Sequence, residues 1–198
     1  MDGIARNVTA NGLDATDVAN QLAVQLKADD LRLAVVFADW RIDPAVLARS
    51  LQQALSAPVV GCTTIGVISA TPGTSTAAAL GLYGDWLRVG IGIANELPKS
   101  ALARSRDAVH RAAAAIGTTA DKLDSARHVA FTLVDGSCGH EEAFCIASAA
   151  TAPQIRMVGG SAATEHGSTK RRAYVWANGE ALADAGVVVL LDSKLPFE

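Results

Sequence analysis

Half of the 198 residues are hydrophobic, enough to bury a sizeable core, and the 17 basic side chains do not outnumber the 20 acidic ones, so neither disorder nor nucleic-acid binding is expected. Three cysteines, Cys62, Cys138 and Cys145, lack the even count and short spacing of a disulfide framework or a zinc site, which points to a reducing, cytoplasmic setting. The N-terminus has no hydrophobic signal core, and the longest aliphatic run, Val187 to Leu191, is too short to span a bilayer, so no membrane partner is expected.

Asp14 is placed to cap a helix over about residues 15 to 28, with Ala15, Val18, Ala19, Leu22 and Leu26 on one face. Leu31 to Phe37 is a continuous apolar run, the pattern of a strand covered on both faces, ending at Ala38-Asp39-Trp40. Asp43 and Pro44 open a second helix whose inward stripe is Leu47, Leu51, Ala54 and Leu55. Pro58 to Ile68 then reads as two strands joined by a tight bend at Gly61-Cys62-Thr63-Thr64, which would present a thiol and two hydroxyls at one end of a sheet. An ordinary strand end has the same look.

After the loop Thr71-Pro72-Gly73-Thr74-Ser75, residues 78 to 83 and 87 to 94 read as a hairpin turning at Gly84-Asp85. A third helix from about Pro98 to Ile116 carries Leu102, Ser105, Val109, Ala112 and Ile116 on one face and stops at Gly117. His110 lies off that stripe and His166 in a loop, and both read as solvated. Val129 to Val134 is a buried strand ending in Asp135-Gly136, and a helix starts near His140 with residues 143, 146, 147 and 150 on one side. Ile155 to Val158 leads into a second glycine bend, Gly159-Gly160-Ser161. The cluster Lys170-Arg171-Arg172 precedes a strand, where charge discourages edge pairing. The last hairpin runs from Ala173 to Ala177, turns at Asn178-Gly179 and returns as Ala185 to Leu191.

These segments repeat. Asp39 to Gly61 is 22 positions and Asp135 to Gly159 is 24, while Gly61 to Gly90 is 29 and Gly159 to Gly186 is 27. The expected fold is therefore α/β, one domain over residues 1 to 198 with internal repeats at about 31–94 and 128–191, each strand, helix, strand and hairpin. Glycine bends at equivalent places would line a cleft between the halves.

The run Val59-Val60-Gly61-Cys62-Thr63-Thr64-Ile65-Gly66, then Asp135-Gly136 with Glu141-Glu142, then Val158-Gly159-Gly160-Ser161-Ala162 and Tyr174-Val175-Trp176-Ala177-Asn178-Gly179, resembles the N-terminal part of the FIST sensory domain over about residues 15 to 192. The resemblance implies a bacterial intracellular sensor that binds a small molecule and reports to signalling enzymes. Some members are haem proteins that sense nitric oxide and act on histidine kinases or cyclic-di-GMP enzymes. For haem, His140 would be the metal ligand, because the positive end of the helix dipole favours a neutral imidazole there; Cys62 and Cys138 are alternatives. The expected ligand-binding set is Gly61, Cys62, Thr63, Thr64, Asp135, Gly136, His140, Gly159, Gly160 and Ser161, without catalysis. The competing readings are a cysteine hydrolase or acyl-transfer enzyme, with Cys62 as nucleophile and His140 as base, and a scaffold without a ligand. Against the enzyme, Cys62 has no evident third orienting residue and no Gly-x-Ser-x-Gly elbow.

Overall fold

A computed structural model describes residues 4–68, 75–165 and 172–196; His166, Lys170, Arg171 and most of the loop at 71–75 lie outside them. In chain order the elements are β1 (Ala5–Ala10), α1 (Ala15–Leu26), β2 (Leu31–Asp39), α2 (Pro44–Ala54), β3 (Val59–Thr64), β4 (Ala77–Tyr83), β5 (Leu87–Ala94), α3 (Leu97–Ala115), β6 (His128–Asp135), α4 (Glu141–Thr151), β7 (Arg156–Ala162), β8 (Val175–Ala177), β9 (Glu180–Leu182) and β10 (Gly186–Ser193). The fold is α/β, with helices covering two sheets. The chain divides into two compact units, Met1–Gly84 with Ala162–Ala181, and Asp85–Ser161 with Leu182–Glu198.

The first unit holds the sheet β1-β4-β2-β3-β8-β9, in which β2 and β3 run parallel and the β1/β4, β4/β2 and β3/β8 pairs run antiparallel. Its helices start where the sequence places their caps. Asp14 Oδ1 accepts from Thr16 N and Asp17 N, both at 2.9 Å, and Asp43 Oδ1 accepts from Ala45 N at 2.9 Å and Val46 N at 3.0 Å. Leu22 and Leu26 from α1, Leu47 and Leu51 from α2, Val36 from β2 and Trp176 from β8 fill one core. Each fully buried aliphatic side chain there contributes about 1.5–3 kcal/mol relative to exposure.

The second unit holds the sheet β5-β10-β6-β7, with β10 antiparallel to both β5 and β6. Leu97, Ala108 and Ala112 of α3, Phe144 of α4, Val134 of β6, and Val188 and Leu190 of β10 form its core. Gly90 and Gly92 let α3 lie close on β5: a Cβ at either would stand 2.0 Å or 1.8 Å from the carbonyl oxygen of Ala112 or Ala108.

Both expected hairpins are corrected. β4 and β5 follow one another through Gly84, at φ 103°, yet join different sheets, so they are not a hairpin. β8 does turn at Asn178-Gly179, with φ of 53° and 81°, but its partner is the short β9, and residues 186–193 pair with β5 and β6 instead. The recurring order is therefore strand, helix, strand, helix, strand, strand. It runs over β1 to β4 and again over β5 to β10, with β8 and β9 inserted, giving matching sheet orders β1-β4-β2-β3 and β5-β10-β6-β7. The frame begins at β1 and β5, not at residues 31 and 128 as the spacings suggest.

In α3 the expected stripe holds at Ser105, Val109, Ala112 and Ile116, and Leu102 alone of the five is exposed; the α4 stripe is corrected, because Ile146 is exposed while Phe144 and Ser148 are buried. α3 departs from helical geometry at Ser100, so its first turn does not continue the later periodicity. α4 is apolar on most of its circumference, and periodicity alone does not select its inward side.

Asp192 on β10 is buried and accepts from Arg88 Nε at 2.9 Å and from Arg127 Nη2 at 2.7 Å. Burial pushes its carboxyl up, and the two guanidiniums outweigh burial and hold it below the usual range. Hydrogen bonds from Arg41 likewise hold Asp39 low. A carboxyl lowered in the folded state stabilises the protein fully above its unfolded pKa of about 4 and loses that contribution as pH falls through the folded value. Urea denaturation should therefore show stability falling from pH 5 toward pH 3, with Asp192→Asn about 2 kcal/mol less stable than wild type at pH 7 and flatter in its pH dependence. An unchanged pH slope in that variant would remove Asp192 from the account.

Candidate functional site

The first of the two glycine segments is closed. Gly61, Cys62, Thr63 and Thr64 are not a bend but the body of β3, and β8 covers them in the register Val60↔Ala177, Gly61↔Trp176, Cys62↔Val175. Gly61 is needed for close packing: a Cβ there would stand 1.9 Å from Val36 O and 2.5 Å from Trp176 Nε1. The Thr63 hydroxyl accepts from Tyr174 N at 3.0 Å, and the Thr64 hydroxyl donates to Gly66 O at 2.9 Å. Cys62 is 3 % exposed, and burial pushes its thiol up to about 12. Burial favours the neutral thiol over the thiolate, which weighs against Cys62 as a nucleophile.

Asp135 ends β6 as Asp39 ends β2, and it is wholly buried. Its Oδ1 accepts from Ser137 N at 2.8 Å and Ser137 Oγ at 2.6 Å, and its Oδ2 accepts from Asp184 N at 2.7 Å. It therefore holds the turn through Gly136 against the segment entering β10, and its carboxylate is fully engaged. His140 is the half-buried N-cap residue of α4; its side chain makes no capping bond and its carbonyl accepts from Phe144 N at 2.9 Å. Cys138 donates to Asp135 O at 3.0 Å, and burial raises its thiol. Among the described residues no group of three His, Cys, Asp or Glu could hold a metal ion. Cys62 stands in the first unit and His140 in the second.

The second glycine segment is open. Gly159, Gly160 and Ser161 also lie within a strand, β7, but β7 is the last strand of its sheet and these residues are exposed. Between them and α4 is a cleft of about 260 Å³. Thr132 and Val134 of β6 form its floor, Cys145, Ser148 and Ala149 of α4 one wall, and Met157 to Ser161 of β7 the other. Ser148 is 1 % exposed and its hydroxyl has no hydrogen-bond partner among the described residues. An unpaired buried hydroxyl costs about 1–3 kcal/mol, so its place on a cleft wall marks a position where an incoming polar group would be favoured. Sequence reasoning picked out Gly159 to Ser161 but missed Ser148 and Cys145, because nothing in α4's pattern distinguishes the cleft side. Of the expected set, Gly159, Gly160 and Ser161 come together here, and His140, Asp135 and Gly136 are not in the lining.

Residues 32–198 match the sequence model of the FIST N domain. A comparison with curated proteins finds no match. Among solved structures, the fold is similar to a crystal structure of cyanuric acid hydrolase from A. caulinodans at 13 % identity and a TM-score of 0.48, covering 96 % of this chain and 67 % of that one. A likeness of that degree says nothing of what this chain does.

The two exposed glycines of β7 differ in a way that mutation can read. A Cβ at Gly159 would stand 2.0 Å from Thr132 O, a backbone atom that cannot give way, whereas one at Gly160 meets nothing within 4 Å. Gly159→Ala should lower stability by more than about 2 kcal/mol and Gly160→Ala by less than about 0.5 kcal/mol, as read by denaturant midpoints. Equal effects would mean that β7 does not lie against β6 at this distance.

Proposed function

The chain belongs to the FIST N domain family, and on that premise we propose that it is a small-ligand-binding sensory domain whose ligand enters the cleft between β7 and α4. The observation that carries the reading is the buried, unpartnered hydroxyl of Ser148 on the wall of an open cleft. A molecule about one ring in size, with one group for Ser148 and others for the exposed main chain of Gly159 to Ser161, suits the space, which lies just below the range of about 300–1,000 Å³ typical of drug-sized ligands. The domain would bind and release this molecule unchanged. A histidine kinase or a cyclic-di-GMP enzyme is our proposed recipient of the signal, and the free thiols Cys62, Cys138 and Cys145 suit a cytoplasmic setting. No described helix is long and apolar enough to cross a membrane.

The cleft does not suit a haem. Its lining has no histidine, and Cys145 and Met157 are its only potential iron ligands. A haem titration should give no sharp Soret band; a band abolished in His140→Ala would restore the haem reading at a different place.

Cys145 is exposed and lines the cleft, whereas Cys62 is buried, so the site carries its own reporter. Iodoacetamide should alkylate Cys145 readily and Cys62 only on unfolding. A copurifying or screened small molecule that raises Tm should slow alkylation of Cys145, be recovered unchanged by mass spectrometry, and bind about 3–10-fold more weakly to Ser148→Ala. A stabilising molecule that leaves Cys145 alkylation untouched would refute the placement, and one that is consumed would refute binding without turnover.

A further inference from the structure

Among the described residues, the two units share a geometry in which one strand is present in the first and absent from the second. Gly61 of β3 lies against Val36 O of β2 just as Gly159 of β7 lies against Thr132 O of β6, with Cβ approaches of 1.9 Å and 2.0 Å. Val36 and Thr132 each stand three residues before the aspartate that ends their strand. Helices α2 and α4 are both 11 residues long, and position by position Ala48 corresponds to Cys145, Leu51 to Ser148 and Gln52 to Ala149.

In the first unit β8 lies along β3. The Trp176 indole lies over Gly61, and the turn at Gly179 rests on α2, where a Cβ would stand 3.2 Å from Gln52 Cβ and 3.9 Å from Ala48 O. In the second unit the equivalent residues of all three groups, Gly159, Cys145 and Ala149, line the cleft. Exposure reports the same difference. Val60 is 0 % exposed and its equivalent Val158 is 60 % exposed, and Ala48 is buried whereas Cys145 is exposed. Open sheet edges with apolar residues are sites for added strands.

We propose that β7 accepts an antiparallel strand from a protein partner, bearing a tryptophan or a similarly large aromatic residue that enters the cleft over Gly159. In the register of β8 on β3, Ser161 takes the part of Thr63, which donates its N–H to Tyr174 O at 2.9 Å and accepts Tyr174 N–H on its hydroxyl at 3.0 Å. The residues beside the aromatic are small or β-branched, as Val175 and Ala177 are beside Trp176. This deepens the sensory reading and rests on the cleft being its binding site: the aromatic side chain and a small ligand claim the same space, so binding one releases the other.

The probe is a fluorescein-labelled peptide with the sequence of residues 173–182, Ala-Tyr-Val-Trp-Ala-Asn-Gly-Glu-Ala-Leu, titrated with the whole chain and read by anisotropy. Saturable binding is expected, weakened about tenfold or more when the peptide's tryptophan is replaced by alanine. A similar loss is expected in Ser161→Pro, which removes the donor equivalent to the Thr63 N–H, and in Ala149→Trp, which fills the cleft from an exposed helix position and leaves the sequence of β7 unchanged. No saturable binding up to about 1 mM, or undiminished binding by Ala149→Trp, overturns the proposal. Sedimentation that shows a wild-type dimer and a monomeric Ser161→Pro overturns it in favour of a second copy on β7. A small molecule that protects Cys145 while the peptide fails to bind would leave the sensory reading standing and this one refuted; peptide binding with no protecting small molecule would do the reverse.

Discussion

The approach of a glycine on the third strand of each unit to the carbonyl oxygen of its neighbour is the constraint on which the rest of the site depends. At 1.9 Å and 2.0 Å there is no room for a Cβ at Gly61 or Gly159. A side chain on that face would push the strand away from its neighbour and occupy the place that Trp176 fills in one unit and the cleft leaves open in the other. These glycines therefore serve shape, and their freedom at positive φ plays no part: neither is among the residues with positive φ. What differs between the units is what lies on the glycine, the Trp176 indole on Gly61 and the Thr132 hydroxyl beside the cleft on Gly159.

The polar residues around this frame divide into those that are engaged and those that are not. Asp39 is held by Arg41, Asp135 by Ser137 and the amide of Asp184, and the Thr63 hydroxyl by Tyr174. Such groups fix turns and strand ends, and recruiting one to a ligand would break a bond already made. The Ser148 hydroxyl and the Trp176 indole Nε1 over Gly61 are different: both are buried and have no hydrogen-bond partner among the described residues. At the place where α2 has Leu51, α4 carries a hydroxyl that is buried and unpaired, so the second unit departs from the first at the point where a binding wall would need it.

Local signals in the sequence were legible. Asp14 and Asp43 cap the helices they precede, the apolar runs at 31–37 and 129–134 form strands that are largely buried, with Arg32 and Phe37 exposed in the first, and the Asn178-Gly179 turn forms where expected. Gly159 to Ser161 were marked as a site and line the cleft. The partition of strands between sheets was not legible, because β4, Gly84-Asp85 and β5 have the pattern of a hairpin and only long-range pairing sends them apart. β1 was missed because Ala5, Arg6 and Asn7 offer little apolar alternation; its pairing with β4 supplies what local pattern does not. His140 drew attention as a histidine at a helix start, but the cleft lies farther along α4, at Cys145 and Ser148, which resemble ordinary small helix residues in the sequence.

Among the described residues β7 has an open edge where β3 has a covered one, and amide hydrogen exchange compares the two edges. The Thr63 amide donates to Tyr174 O and should exchange only on unfolding of its unit, whereas the amide of Ser161, its equivalent on β7, should exchange orders of magnitude faster in the free protein. Protection of Ser161 equal to that of Thr63 in the free, monomeric chain would mean that the edge of β7 is already paired and closed to an added strand.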